Sequence, residues 1–424
     1  MGNPALLRRH LDTSVEAALS DTPVVLVVGP RQAGKTTLCE QIAGKRGARL
    51  LTFDDGATLA AAQSDPAGFV AALEGPVVLD EIQRAPELLS ALKLAVDRNR
   101  KPGRFLLTGS ANILTLPRAS ESLAGRMEVL TLWPLSQGEI ASTRERFVDD
   151  LFTKTPFRAR AAAGESRSAL LERALRGGYP ELLARKDPAR RRAWFGSYVT
   201  TILQRDVRDI AQIDGLSELP RLLAFLASRS ATLQNVAEVS RTTGLPQTTL
   251  TRYLALLENI FLIRRTPAWT GSRARRLVKT PRVVLTDTGL LAHLAGLTTA
   301  RIAEDPTAAG PLLETFVAGE IQKQLGWCEV HAELFHFRTA AGREVDLVLE
   351  ADDGRVVGIE VKAAASVGVR DVRGLEALRE VAGKRFHRGV LLYAGREVLP
   401  FGSEMWAVPM AGVWQAGGGG NKRP

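Results

Sequence analysis

Apolar runs of four or five residues alternate with segments of helical period through the first third of the chain, which predicts buried parallel strands joined by helices. Val24 to Val28 is the first such run; it leads into a glycine-containing loop and a helical stretch from Thr37 to Ala43. Gly75-Pro76 opens a second strand, Val77 to Leu79, which ends on Asp80-Glu81. A third runs from Arg104 to Thr108 and a fourth from Glu128 to Leu132. From Ala141 to Ser168 the periodicity fades into Arg, Ala and Thr. Helical spacing then returns over Trp194 to Ile210. Between Leu233 and Ile263 the pattern is helix (Gln234 to Arg241), turn (Thr243-Gly244-Leu245), helix (from Pro246), with Phe261-Leu262-Ile263 and Val283-Val284-Leu285 as candidate wing strands. The last hundred residues read α-β-β-β-α-β: a helix from Leu312 to Leu325, strands at 334–338, 344–349 and 356–362, a helix at 369–381 and a buried strand at 389–393. The Gly-rich tail from Ala416 carries no pattern and is expected to be disordered.

These periodicities give an α/β chain with expected boundaries at 1–140, 141–230, 231–310 and 311–415, followed by the tail at 416–424. A length of 424 residues, 45% hydrophobic and 24% charged, suits two or three globular domains. No eighteen-residue apolar run and no apolar leader segment stand in the sequence, so a cytoplasmic location is expected. Cys39 and Cys328, the two cysteines, lie far apart and suggest neither a disulfide framework nor a zinc site.

The net charge of +10 changes the picture through its placement. Residues 1–140 carry 15 basic and 15 acidic side chains, residues 141–311 carry 27 and 16, and residues 312–424 carry 14 and 15, so the whole excess belongs to the middle. Arg264, Arg265, Arg273, Arg275, Arg276, Lys279 and Arg282 fall within nineteen residues without one acid. Such a run repels itself unless a polyanion is near, and DNA is the expected partner; a solvated helical surface is the alternative.

Gly29-Pro30-Arg31-Gln32-Ala33-Gly34-Lys35-Thr36 has the G-x-x-x-x-G-K-T spacing of a phosphate-binding loop set between strand and helix. Its backbone N–H groups, through Thr37, would face phosphate oxygens, Lys35 would reach the β- and γ-phosphates of ATP, and Thr36 would hold Mg²⁺. Asp80 is expected on the same Mg²⁺, and Glu81 is placed to polarise the attacking water. Ser110 or Asn112, just past the third strand, suits a γ-phosphate sensor. Arg126 is a candidate for balancing phosphate charge in cis or in trans, or else forms a surface salt bridge.

The stretches GPRQAGKTTL, VVLDEIQRAPELLSALKLAVD, FLLTGSAN and ESLAGRMEVLTLWPLS resemble those of AAA+-like prokaryotic ATPases that carry a C-terminal domain of unknown function. The similarity covers nearly the whole chain and implies a P-loop domain of the ASCE type, with Lys35, Thr36, Asp80 and Glu81 at the nucleotide site. It leaves the physiological role open. Arg205 and Asp206, on the helix of the middle region, are candidates for approaching the nucleotide or for a local ion pair.

In the helix-turn-helix segment, Gln247, Thr248, Thr251 and Arg252 are expected on the exposed face, where such side chains can read base edges; a packing surface is the alternative. At the C-terminus, Asp346 followed fourteen residues later by Glu360-x-Lys362, with Glu314 on an upstream helix, resembles the PD-(D/E)XK phosphodiesterase fold. The resemblance implies Mg²⁺ on Asp346 and Glu360, a contribution from Glu314, and Lys362 beside the attacking water. Val345 stands where that pattern begins with Pro. The reading is therefore an ATP-hydrolysing protein that engages nucleic acid and carries a Mg²⁺-dependent nuclease-like domain. The alternative is a nucleotide-dependent switch whose nuclease-like domain is an inactive scaffold, with homo-oligomerisation open in both.

Overall fold

Runs of β-branched residues between helices fold as the pattern predicts. The computed structural model describes residues 7–110, 123–153, 165–210, 218–233, 235–272, 276 and 280–415, and for 205–210 and 233 only the backbone. Contacts divide the chain into one unit of Met1–Leu135 with Tyr179–Glu181 and Asn259–Phe261, and a second holding the remainder.

The first unit is a five-stranded parallel sheet in the order β2-β3-β4-β1-β5. Its strands are β1 (Val24–Val28), β2 (Arg49–Thr52), β3 (Val77–Asp80), β4 (Phe105–Gly109) and β5 (Met127–Thr131). Val24, Leu26, Val28, Leu79 and Leu107 enter one core and Val25, Val27, Val78 and Leu106 the other, so both faces of the central strands are buried and β1 is apolar at every position. Helix α1 (Asp12–Asp21) precedes β1, and α2 (Lys35–Arg46) follows the loop after it. Because β1 and β3 both flank β4 in parallel, the loop after β1 and the acids after β3 stand at the same, C-terminal edge of the sheet.

Apart from Tyr179–Glu181 and Asn259–Phe261, the segments expected at 141–230, 231–310 and 311–415 fall together in the second unit. The helix predicted from Trp194 begins six residues earlier, at Pro188, where the Asp187 carboxylate accepts the Ala189 N–H at 2.8 Å. The helix-turn-helix segment is observed as Val236–Thr243, a left-handed Gly244, and Gln247–Asn259. Around it, β6 (Thr232–Leu233), β7 (Ile263–Thr266) and β8 (Arg282–Leu285) form an antiparallel sheet in the order β6-β8-β7. Pro246 stands just before the second helix rather than inside it.

The C-terminal sheet holds β9 (Ala332–Arg338), β10 (Glu344–Ala351), β11 (Val356–Lys362), β12 (Phe386–Tyr393), β13 (Leu399–Pro400) and β14 (Met405–Pro409), ordered β13-β14-β12-β11-β10-β9. Its first three strands are an antiparallel meander, and β12 joins β11 in parallel after the crossover helix Arg373–Ala382. The pattern foresaw this order up to β12. It missed β13 and β14, whose five-residue core Met405–Pro409 is interrupted by no clear alternation. Side-chain bonds run from the middle segment to this part of the unit: the Arg276 guanidinium donates to Glu350 of β10 at 2.5 Å, and Arg264 donates to Gln322 on the helix Ala309–Gln324. Among the described residues no helix is long and apolar enough to cross a membrane.

Candidate functional site: the phosphate loop and a carboxylate cluster

In the first unit, the loop after β1 is shaped by three residues with positive φ: Gly29 (152°), Gln32 (59°) and Gly34 (94°). A Cβ on Gly29 would lie 2.1 Å from the Leu132 carbonyl oxygen, so only glycine lets the loop leave the strand there. Lys35 opens α2 with its side chain folded back into the loop, donating to the Gly29 and Pro30 carbonyls at 3.0 Å each. Burial pushes its ammonium down to about 8; Arg31 lowers it further, while Glu81 and Asp80 act in the opposite sense.

Asp80, 4% exposed at the end of β3, gathers hydroxyls from three segments. Thr36 donates to it at 3.0 Å, Thr52 at 3.2 Å and Thr108 at 2.6 Å. Thr108 in turn accepts the Glu81 N–H at 3.1 Å. Glu81 itself lies in the left-handed region, φ 59°, a conformation that costs a non-glycine residue about 1–3 kcal/mol and is tolerated where the surroundings fix it. Its carboxylate accepts from the Gln83 amide, which also donates to Ser110 at 2.8 Å. A hydroxyl and a carboxylate side by side, Thr36 and Asp80, form a hard oxygen pair of the kind Mg²⁺ takes.

Lys35, Thr36, Asp80, Glu81 and Ser110 therefore lie together at this edge of the sheet. Asn112 lies outside the described residues, as do the side chains of Arg205 and Asp206. Arg126 does not join the cluster: its carbonyl accepts the N–H of Val24, at the far end of β1 from the loop, and its guanidinium makes a bidentate pair with Asp97 at 2.6 and 3.0 Å. A cis role for Arg126 is thus corrected to the surface salt bridge. Sequence reasoning missed Thr52, Thr108 and Gln83, and it missed Arg9, which donates to the Ala33 and Trp133 carbonyls at 2.6 Å and braces the loop from behind.

The second unit brings Glu314, Asp346, Glu360 and Lys362 together, but a further side chain stands among them. Arg282, 7% exposed at the start of β8, donates to Glu314, to Asp346 Oδ1 at 3.4 Å and to Glu344 at 3.5 Å. Asp346 Oδ2 accepts the Val361 N–H at 2.9 Å, and Lys362 donates to Glu360 at 2.8 Å. Burial and then the Asp346 charge raise Glu314 well above the carboxylate range and bring Glu360 to about 8. Asp346 is raised by burial against the pull of Arg282, the Val361 N–H and Lys362. Burial disfavours the Arg282 cation, but Glu314, Asp346 and Glu344 outweigh it and hold its pKa above the usual value.

The expected Mg²⁺ set of Glu314, Asp346 and Glu360 is corrected accordingly. Among the described residues no group of three acidic, His or Cys side chains is arranged to hold a metal ion, and the charge that balances these acids is a guanidinium. The basic run is corrected in the same way. Arg264 is buried on Gln322, Arg265 pairs with Glu258, Arg276 with Glu350 and Arg282 with the acid cluster; Arg273, Arg275 and Lys279 lie outside the described residues. On the second helix of the helix-turn-helix pair, Gln247, Thr248, Thr251 and Arg252 are exposed as expected.

Comparison with known proteins matches three successive segments of the chain. Residues 21–141 match the family described as AAA domain, residues 167–301 a domain of unknown function (DUF8612), and residues 309–413 a domain of unknown function (DUF4143). The chain is 31% identical over 404 residues, 95% of its length and 83% of theirs, to the uncharacterized proteins Mb2031c of Mycobacterium bovis and Rv2008c of Mycobacterium tuberculosis. An uncharacterized protein of Haemophilus influenzae is 25% identical over 234 residues, 52% of either chain. Among solved structures, the Walker-type ATPase PABY2304 of Pyrococcus abyssi aligns at 15% identity and TM-score 0.43 over 68% of this chain and 96% of that one. The Thermotoga maritima RuvB Holliday junction branch migration motor aligns at 21% and 0.28 over 61% and 87%. The AAA-domain match spans the phosphate loop, Asp80 and Glu81.

Proposed function

The chain belongs to the family of the mycobacterial proteins Mb2031c and Rv2008c, and for this member with its AAA domain we propose ATP binding and hydrolysis at the C-terminal edge of the first sheet. The observation that carries the reading is the buried Lys35 beside the Thr36–Asp80 pair. A triphosphate entering the loop exchanges the Gly29 and Pro30 carbonyls on Lys35 for β- and γ-phosphate oxygens, and the backbone N–H groups of the loop and of the α2 N-terminus cradle the rest. Thr36 and Asp80 are the residues that would hold Mg²⁺, which when bound neutralises charge developing on the phosphate oxygens. Glu81 orients a water and accepts its proton as the water oxygen bonds the γ-phosphorus and the bond to the β-phosphate oxygen breaks. Gln83 fixes the Glu81 carboxylate relative to Ser110, which faces the γ-phosphate side. Arg126, paired with Asp97 on the surface, is left for a role toward a second copy of the chain.

Phosphate release by the purified protein tests this. Lys35→Ala is expected to lose ATP binding. Glu81→Gln is expected to keep binding while hydrolysis falls by about 10²-fold or more. Unchanged ATP affinity in Lys35→Ala rejects the site.

For the second unit, the Arg282 placement favours the scaffold reading: a nuclease-like sheet whose acids are balanced internally, and which follows the nucleotide state of the first unit as a regulatory surface. Cleavage of plasmid and branched DNA with Mg²⁺ or Mn²⁺, with and without ATP, tests it. Cutting that vanishes in Lys362→Ala overturns the scaffold reading in favour of a nuclease.

A further inference from the structure

A second cavity lies in the second unit, among the helices Arg167–Arg176, Pro188–Ile210 and Thr288–Leu294 and the turn at 297–299. Its volume is about 400 Å³, within the range of about 300–1,000 Å³ that small-molecule sites take. Leu175, Pro188, Ala292 and Leu297 make part of its wall apolar. Phe195 and His293, both lining residues, stack with ring centroids 5.9 Å apart and planes at 24°, giving the wall an aromatic part.

The rest of the wall is cationic in a way the local fold does not require. Arg190, Arg191 and Arg192 follow one another in the opening turns of a 23-residue helix, where the helix dipole and their mutual repulsion both oppose them. Asp187 caps that helix, and Glu172 is the acid among the lining residues. Arg191 Nη2 donates to the Lys186 carbonyl at 2.8 Å, but its Nε is buried and meets no acceptor; the Nε of Arg176, at the end of the helix that carries Ser168, Glu172 and Leu175, is buried and without an acceptor as well. Burial and then Arg173 and Arg191 lower Arg176, against Glu172, so the guanidinium groups feel one another, and burial and then Arg192 lower His293, which favours its neutral ring. An anion seated there would relieve the repulsion, satisfy buried N–H donors and sit at the positive end of a long helix.

We propose that this cavity binds a small organic anion, one carboxylate or phosphate group on a flat apolar body, with the charged group on Arg191 and Arg192 and the body against Phe195 and His293. The site is separate from the phosphate loop and lies wholly within the second unit.

Calorimetric titration of the full chain with phenyl phosphate and with benzoate tests it, inorganic phosphate and phenol serving as the charge without the body and the body without the charge. One of the two aromatic anions is expected to bind more tightly than either fragment, and which one identifies the charged group. Arg191→Gln is expected to weaken that binding roughly tenfold or more. Thr299→Glu, which places an acid on the exposed rim at a helix start where acids are well tolerated, is expected to weaken it too, while circular dichroism and melting stay unchanged. Lys35→Ala is expected to leave it intact, which separates this site from ATP binding. No binding at millimolar concentration, or binding lost in Lys35→Ala and kept in Arg191→Gln, overturns the proposal.

Discussion

Replacing Arg282 with Met keeps the length of the side chain and removes its charge from among Glu314, Asp346 and Glu344. The guanidinium is 7% exposed and Asp346 9%, whereas Glu314 is half-buried and Glu344 exposed, so it is chiefly the Asp346 carboxylate that is left without bulk water. Breaking a buried pair from one side costs about 3–5 kcal/mol. Part of that cost is escaped by protonation, which sets the pH dependence. In the wild type Glu360, at about 8, is already raised above its ordinary value of 4.5, so its stabilising contribution is full below the unfolded pKa and is lost as pH rises through about 8. Removing Arg282 takes away the cation that lowers Glu314 and Asp346, pushing both further up and adding to the same loss at high pH. Arg282→Met is therefore expected to lose about 3–5 kcal/mol near pH 8.5 and clearly less near pH 5.5. Urea unfolding followed by near-ultraviolet circular dichroism and by the fluorescence of Trp269 and Trp414, both in the second unit, measures this. Adding Glu314→Gln to Arg282→Met should recover part of the loss, because the pair is then removed from both sides. Equal loss at both pH values, or greater loss at pH 5.5, refutes the assignment of Arg282 as the counter-charge of the cluster.

The phosphate loop has its own pH signature: with Lys35 at about 8 before phosphate raises it, ATP affinity should be flat below pH 8 and fall up to tenfold per unit above it, and Lys35→Arg should flatten the profile in equilibrium dialysis. Thr108→Val keeps shape but strips Asp80 of its 2.6 Å donor and the Glu81 N–H of its acceptor. Melting should report a loss of about 1–3 kcal/mol, with a deeper loss of hydrolysis than of ATP binding. If the helix-turn-helix segment touches duplex DNA, Arg252→Gln should reduce the salt slope of binding by about 0.9, measured by fluorescence anisotropy, and Arg264→Gln should leave it alone because Arg264 is spent on Gln322. An equal effect of the two variants contradicts that division.

The phosphate loop and the Asp80-Glu81 pair were legible in the sequence because their geometry is local. A strand, eight loop residues and a helix are fixed by consecutive positions, and parallel topology then carries Asp80 to the same edge. Thr52 and Thr108 were not legible, since each meets Asp80 or Glu81 only through pairing of strands distant in sequence, and Gln83, two residues from Glu81, meets its carboxylate in the turn that follows the positive φ of Glu81. The charged segments misled for a related reason. A count of cations between Arg264 and Arg282 says nothing about which acceptors they meet, and four of the seven find partners within the second unit, Arg265 at its surface and the other three further in. One signal was available: Arg282 heads the apolar run Val283-Val284-Leu285, a place where a charge is buried and must be answered, and Asp346 and Glu360 lie in equally apolar strands.

The one proton of the Thr108 hydroxyl links the two halves of the proposed ATPase chemistry. Thr108 gives that proton to Asp80, which leaves its lone pairs to accept from the Glu81 backbone, so the acid that would hold Mg²⁺ and the acid that would orient water are set by the same oxygen. Glu81 can make that bond because its backbone is held at a positive φ, and its side chain is then taken by Gln83, which reaches on to Ser110. A continuous hydrogen-bonded path thus runs from Thr36 through Asp80, Thr108, Glu81 and Gln83 to the end of β4. Ser110 accepts from Gln83, so its own O–H stays available to donate to a γ-phosphate oxygen, while Gln83 keeps the Glu81 carboxylate in place. Gln83→Leu breaks the path without touching Lys35, Thr36 or Asp80. Under this reasoning its ATP affinity stays near wild type while hydrolysis falls, because the Glu81 carboxylate loses the amide that holds it, and unchanged phosphate release in that variant refutes the path.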